Sequence, residues 1–233
     1  MSIKENVDAI REAITASAKK SGRDPSEIKL IGVTKTVDVL RISELLASGV
    51  TDIGENRVQD FLPKYDYFQK NFKELENRPN EWHFIGHLQR NKVKFIADKV
   101  DLIHSVDSLP LAVEINRRGE QVGKIVNILA EINISGEPSK YGIPPDDILE
   151  FIENLANMQF VRLTGLMCMA PFVENPEENR VFFSKMRKIS VDIQNKCIYH
   201  TKLISLSMGM SNDFSVAIEE GATMVRIGTA LFE

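Results

Sequence analysis

Residues 28–35 read IKLIGVTK, an apolar and β-branched run that ends abruptly on a hydroxyl and a cation, Thr34 and Lys35. Such a run is the signature of a buried strand. Similar runs recur at 51–54 (TDIG), 82–86 (WHFIG), 101–105 (DLIHS), 125–134 (IVNILAEINI), 160–168 (FVRLTGLMC), 203–207 (LISLS) and 223–228 (TMVRIG). Most are followed by a stretch with helical periodicity. Eight strands alternating with helices predict an α/β fold, a closed parallel (β/α)8 TIM barrel, rather than an open sheet. No linker divides the chain, so residues 1–233 are expected to form one barrel domain.

The helices announce their ends. Ser2 and Glu5 form a capping-box pattern ahead of Ile3, Val7, Ile10 and Ile14, and Gly22 and Pro25 follow as stop signals. This extra N-terminal helix, over about residues 2–20, is expected to cover the gap left where no ordinary eighth helix follows the last strand. Pro144 to Asp147 and Pro176 to Glu178 open two more helices, and Ser211 is placed to cap a short one that ends before Gly221.

Composition narrows the function classes. The chain is 43% hydrophobic and 27% charged with a net charge of −4. That is ordinary for a globular protein and gives no broad attraction to nucleic acid or anionic lipid. Arg90, Lys92 and Lys94 are read as a solvated face with at most one ligand contact. Cys168 and Cys197 have neither metal-ligand spacing nor a disulfide framework, the N-terminus lacks an apolar leader, and no span of about 18 apolar residues occurs. A soluble cytoplasmic protein is expected.

In a barrel of this kind the chemistry gathers where the strands end at the C-terminal face. Lys35 emerges there, after the first strand. A desolvated amine at that place is suited to condensing with an aldehyde; the alternative is a strand-end lysine reaching for water. Phosphate sites tend to lie after strands seven and eight. The sequence there offers Ser207-Met208-Gly209-Met210-Ser211 and Gly228-Thr229-Ala230, small residues that let backbone approach an anion. Two ordinary loops are the competing reading. Arg226, inside an apolar strand, needs an acceptor, either a pyridine nitrogen or a carboxylate from another strand. His83 and His87 would stand about 13 Å apart along one strand, too far for one metal. His104 is read as a satisfied barrel histidine, and no metal site is expected.

With these residues assembled, the chain resembles the pyridoxal-phosphate homeostasis proteins of the YggS/PROSC type along its whole length. The resemblance is carried by Val33-Thr34-Lys35-Thr36, Gly54-Glu55-Asn56-Arg57-Val58-Gln59, Trp82 to Gln89, Ser139-Lys140-Tyr141-Gly142, Gly165-Leu166-Met167, Ser207 to Asp213 and Val225 to Thr229. It implies pyridoxal 5′-phosphate (PLP) as cofactor, attached as an imine to Lys35. It further implies Arg226 at the pyridine nitrogen, Asn56 beside the ring, and Ser207, Gly228 and Thr229 at the phosphate. Thr34 stands where the family more often has serine, and the chain ends at Phe232-Glu233 where the family usually continues.

The implied function is non-catalytic: holding PLP and delivering it, with PLP-dependent apoenzymes as candidate partners. The alternative is an amino-acid racemase on the related barrel of the alanine racemases. A racemase needs a second base opposite the lysine. The racemases bring a tyrosine from an added C-terminal β-domain for which no residues remain here. Of Tyr65, Tyr67, Tyr141 and Tyr199, Tyr141 is the least implausible substitute. Without the domain through which racemases pair, a monomer is expected. A Schiff-base aldolase and an interaction protein with a vestigial pocket are the remaining readings.

Overall fold

The computed structural model describes residues 2–71, 79–196 and 205–233. Eight parallel strands pair in chain order and close on themselves: β1 (Lys29–Val33), β2 (Asp52–Glu55), β3 (Glu81–Phe84), β4 (Leu102–Val106), β5 (Val126–Ile132), β6 (Val161–Cys168), β7 (Ser205–Ser207) and β8 (Met224–Ile227). The closing seam runs between first and last strands, with Ile31 opposite Arg226. Each expected strand is present. Leu203 and Ile204 of the seventh expectation, and Cys197 and Tyr199, lie outside the described residues.

Alternation along the strands separates two apolar environments. One set of side chains faces outward, among them Ile53, Trp82, Ile103, Ile128 and Val225, and is fully or nearly fully buried in the main core beneath the helices. The other set faces the barrel interior. Leu102, Leu129 and Met167, with Met224 against them, form a separate small cluster there. Polar side chains share that interior set: Lys29, Asp52, His83, His104, Glu131, Ser207 and Arg226 all stand in phase with it.

The helices are α1 (Ile3–Lys20), α2 (Val39–Ala47), α3 (Val58–Asn71), α4 (Leu109–Val122), α5 (Ile148–Leu155), α6 (Arg180–Lys196), α7 (Phe214–Glu219) and α8 (Thr229–Phe232). The capping box of α1 is complete: Glu5 N donates to Ser2 Oγ at 3.2 Å and Ser2 N to Glu5 Oε2 at 2.8 Å. Its apolar face, Ile3, Val7, Ile10 and Ile14, is buried, and Asn6 Nδ2 donates to Leu231 O at 3.2 Å. As expected, α1 covers the place where α8 is a single turn. The proline-led segments are short 3-10 turns, Pro145–Asp147 and Pro176–Asn179, that run into α5 and α6. The segment Arg90–Phe95 is likewise a 3-10 helix.

One helix start differs from expectation. Ser211 does not cap α7; Asp213 precedes Phe214, and residues 211–213 are a turn. Asp213 holds the N-cap position without a side-chain capping bond, and its carboxylate ties the preceding loop instead. Its Oδ1 accepts from Met210 N at 2.7 Å and its Oδ2 from Asn179 Nδ2 at 2.8 Å. Among the described residues no helix is long and apolar enough to cross a membrane.

Candidate functional site

At the C-terminal ends of the strands a cavity of about 480 Å³ opens, lined among others by Lys35, Asn56, Glu131, Arg226, Gly228 and Thr229. Five of the six residues expected at the site therefore converge. They come from β1, β2 and β8, which are neighbours through the closing seam.

Lys35 sits one turn beyond β1, where Val37 N bonds back to Thr34 O at 2.9 Å, and it is exposed. Of the two readings of this lysine the structure shows the exposed one: the turn lifts Lys35 out of the wall at the rim of the cavity. What is buried is the clamp beneath it. Glu55 Oε1 accepts from both Thr34 Oγ1 and Lys64 Nζ, and Lys64 also donates to Thr34 O at 2.6 Å. Burial raises the Glu55 pKa, against the pull of Lys64 and Thr34. Glu55 points away from the barrel interior and fixes the residues that precede Lys35 and Asn56. It is a scaffold, not a ligand contact.

Asn56 is half-buried, and its Oδ1 is buried without a hydrogen-bond partner. Asn56 lines the cavity, and a buried acceptor left without a partner on such a residue suits a donor on a ligand. Gly86 makes this geometry possible, since a Cβ there would lie 2.1 Å from Asn56 O.

Arg226 is 4% exposed. Its Nη1 donates to Ser207 Oγ at 2.6 Å and its Nη2 to Cys168 O at 2.9 Å. Neither partner is a carboxylate, so the guanidinium is held by neutral oxygens and keeps donors for whatever enters. Burial lowers its pKa. Burial also pushes Glu131 up to about 7, with Asp107 adding repulsion and Arg226 opposing it. Glu131 was not singled out from the sequence; a lone acid inside ILAEI was the available signal.

Ser207 is the expected residue that the cavity does not take in. It is fully buried, and its hydroxyl contacts Arg226 and His104 instead. The last inward position of β7 lies below the mouth, so the hydroxyl supports the wall. Ser211, four residues on, lines the cavity in its place. The loop carrying it is tied by Asp213 to Asn179, whose Nδ2 also donates to Pro171 O at 2.9 Å. Gly209 adopts φ +91° within this loop, and a Cβ there would meet Ala217 Cβ at 2.6 Å.

On the far side of the mouth, Tyr141 stacks on His87, whose Nδ1 faces Asp107 Oδ2 at 3.3 Å. Lys140 pairs with Glu137 at 2.9 Å. At the opposite end of the barrel Asp52, Glu81 and His83 cluster, but Lys29 Nζ already lies 3.3 Å from Asp52 and 2.5 Å from Glu81. The ammonium supplies the positive charge that the carboxylates need.

The chain matches the family described as alanine racemase, N-terminal domain, over residues 3–233. It is 43% identical over 228 residues to the pyridoxal phosphate homeostasis protein of Aquifex aeolicus, covering 98% of this chain and 96% of that one. The chain belongs to the pyridoxal phosphate homeostasis family. A solved member, PipY of Synechococcus elongatus PCC7942 with PLP bound, superposes with a TM-score of 0.85 at 31% identity, covering 99% of this chain and all of that one. The alanine racemase of Clostridium difficile shares the barrel alone, with a TM-score of 0.71 at 16% identity over 56% of its length. Within the homeostasis family the residues of this mouth can be judged against the cofactor. An amine, a buried donor, an unpaired amide oxygen and small-residue loops suit an aldehyde, a ring nitrogen, a phenolic hydroxyl and a phosphate.

Proposed function

We propose that this protein binds PLP at the C-terminal mouth of its barrel and serves PLP homeostasis, holding the cofactor reversibly on Lys35 and releasing it. The convergence of Lys35, Asn56, Arg226, Gly228 and Thr229 on one cavity carries this reading. PLP, when bound, supplies an aldehyde that condenses with a primary amine and can be released again by water.

The chain's own residues divide the remaining work. Thr229 Oγ1, with the backbone around Gly228 and Ser211, faces the phosphate. Arg226 presents N–H donors to the ring nitrogen; a cation there disfavours a protonated pyridinium, which carbanion chemistry uses as an electron sink. Asn56 Oδ1 accepts from a hydroxyl on the ring. Lys35, exposed at the rim, stays within reach of water, which suits exchange better than retention through a catalytic cycle.

The whole barrel, residues 1–233, acts as one PLP-binding domain. One copy supplies the lysine, the arginine and the phosphate loops, so the protein works as a monomer. It acts in the cytoplasm with PLP-dependent apoenzymes as recipients, and without nucleic acid or membrane as partner; a net charge of −4 supports the last point. Borohydride reduction of the yellow holoprotein should fix one pyridoxyl group, and peptide mapping should find it on Lys35. A label principally elsewhere, or a Lys35→Ala variant that keeps its colour, overturns the assignment. Incubation with alanine in deuterated water should leave the α-proton in place; sustained exchange abolished by Lys35→Ala would restore the racemase reading.

A further inference from the structure

Below the cavity, polar side chains form one continuous line through the barrel. Arg226 Nη1 donates to Ser207 Oγ at 2.6 Å, and Ser207 Oγ lies 2.9 Å from His104 Nδ1. His104 Nε2 lies 2.9 Å from His83 Nδ1. His83 Nε2 faces Glu81 Oε2 at 3.3 Å and Asp52 Oδ1 at 3.7 Å, too long for a well-formed bond to either. The linking side chains are sealed from solvent, His104 and Ser207 at 0% and His83 at 1% exposure. The line begins at the proposed ring-nitrogen contact and ends at the opposite, N-terminal rim.

Its direction follows from its ends. A guanidinium only donates and a carboxylate only accepts. Ser207, accepting from Arg226, gives its own proton to His104 Nδ1. His104 is then the Nε2–H tautomer and donates to His83 Nδ1. His83 in turn keeps its proton on Nε2, towards the carboxylates. Both rings are neutral in this arrangement, and the links between Arg226 and His83 are all satisfied.

One added proton reverses it. With His83 carrying hydrogen on both nitrogens, Nδ1–H must donate to His104 Nε2. The His104 hydrogen then belongs on Nδ1 and points at Ser207 Oγ. That oxygen now receives from both Arg226 and His104, and its own hydrogen must turn away from the line. The cofactor pocket thereby senses a proton taken up at the far end of the barrel.

We infer that His83 and His104 are positioning residues for PLP binding, a relay that orients the Ser207 hydroxyl and through it the Arg226 guanidinium. The inference rests on the reading that Arg226 faces the cofactor ring. The charged and titratable groups around the relay are Lys29 on β1, Asp52 on β2, Glu81 on β3 and Arg226 on β8, with Glu131 on β5 and Asp213 after β7 acting on Arg226. They favour a single switching ring. Burial, with His83, Arg226 and Lys29 adding repulsion, holds His104 well below the usual histidine value and so keeps it neutral. Burial opposes charging of His83 too, but Asp52 and Glu81 outweigh it and raise its pKa.

In a Glu131→Gln background, which removes the other pocket group that titrates near 7, the visible band of the holoprotein should shift in a single proton step above pH 6.5, the ordinary histidine midpoint. His83→Gln should abolish that step and weaken PLP binding about three- to tenfold, while borohydride still labels Lys35. His104→Phe, which cuts the line without a charge, should do the same. A step that persists in both variants overturns the relay. Should either variant fail to fold, ¹⁵N-histidine spectra of the unaltered protein decide: His104 must show an unprotonated Nδ1 at high pH and a protonated one below the step. A fixed tautomer across that range overturns the proposal. An Arg226→Ala variant with an unaltered band would count instead against the placement of Arg226 at the ring.

Discussion

The rings of His87 and Tyr141 lie flat on one another, 3.8 Å between centroids and 12° between planes. His87 comes from the turn after β3 and Tyr141 from the loop after β5, so the stack fastens one loop of the mouth to another. Tyr141 is 55% exposed. Ring pairs contribute about 0.5–1.5 kcal/mol beyond the area they bury. Tyr141→Ala should speed PLP dissociation by about two- to tenfold with little change in folding stability, as stopped-flow trapping of released cofactor would show.

Ser207 and Thr229 should fail in different ways. Ser207→Ala strips a partner from Arg226 Nη1 and from His104 Nδ1, both buried. An unsatisfied buried polar group costs about 1–3 kcal/mol. Urea unfolding of the apoprotein should reveal a loss of that size. Thr229 is exposed at the mouth, so Thr229→Val should leave the urea midpoint in place. It should instead weaken PLP tenfold or more, the loss of one charge-assisted donor of about 1.5–3 kcal/mol.

Glu131 makes apoprotein stability fall as pH rises. Its pKa in the folded chain is about 7, above the ordinary 4.5, so the folded state binds its proton more tightly than the unfolded state does. The stabilisation is complete below about pH 4.5 and is lost as pH climbs through about 7. Glu131→Gln cannot lose it. The variant should gain on the parent between pH 5 and pH 8 by up to roughly 3 kcal/mol, at about 1.4 kcal/mol per pH unit. Parallel unfolding curves across that range would contradict the burial of the free carboxyl.

Gly86→Ala should damage binding more than its size suggests. The added methyl would meet the backbone of Asn56, which cannot swing aside as a side chain can. The Asn56 carbonyl must move, and its amide moves with it. PLP affinity should fall at least tenfold, with the parent affinity regained in no buffer or salt condition; equilibrium titration of the visible band measures it.

Much of this was legible before any coordinates. Strand runs such as IKLIGVT and MVRIG betray themselves through composition; position at a strand's end marked Lys35, Gly228 and Thr229, the apolar setting marked Arg226, and the family resemblance supplied Asn56. Other features depend on distance along the chain. His104 meets Ser207 across 103 residues, and no local pattern encodes that pairing. Phase would have helped, because His83, His104, Glu131 and Ser207 all interrupt apolar strands on the inward side. The choice between the two settings of Lys35 stayed open for another reason. A run of apolar residues reveals where a strand lies, but the turn that lifts Lys35 is made by Thr34 and Val37 bonding through their backbones.

The contact between Asn6 and Leu231 spans 225 residues. α1 packs on α2 but takes the larger part of its seat from α7 and α8, so during synthesis its apolar face waits for the far end of the barrel. The outer edge of β1 stays unpaired for the same interval, awaiting β8. Nascent chains carry an open sheet edge and an unsatisfied apolar helix together, which invites association with other chains. The seam that completes the barrel thus sets how long both surfaces stay open during synthesis.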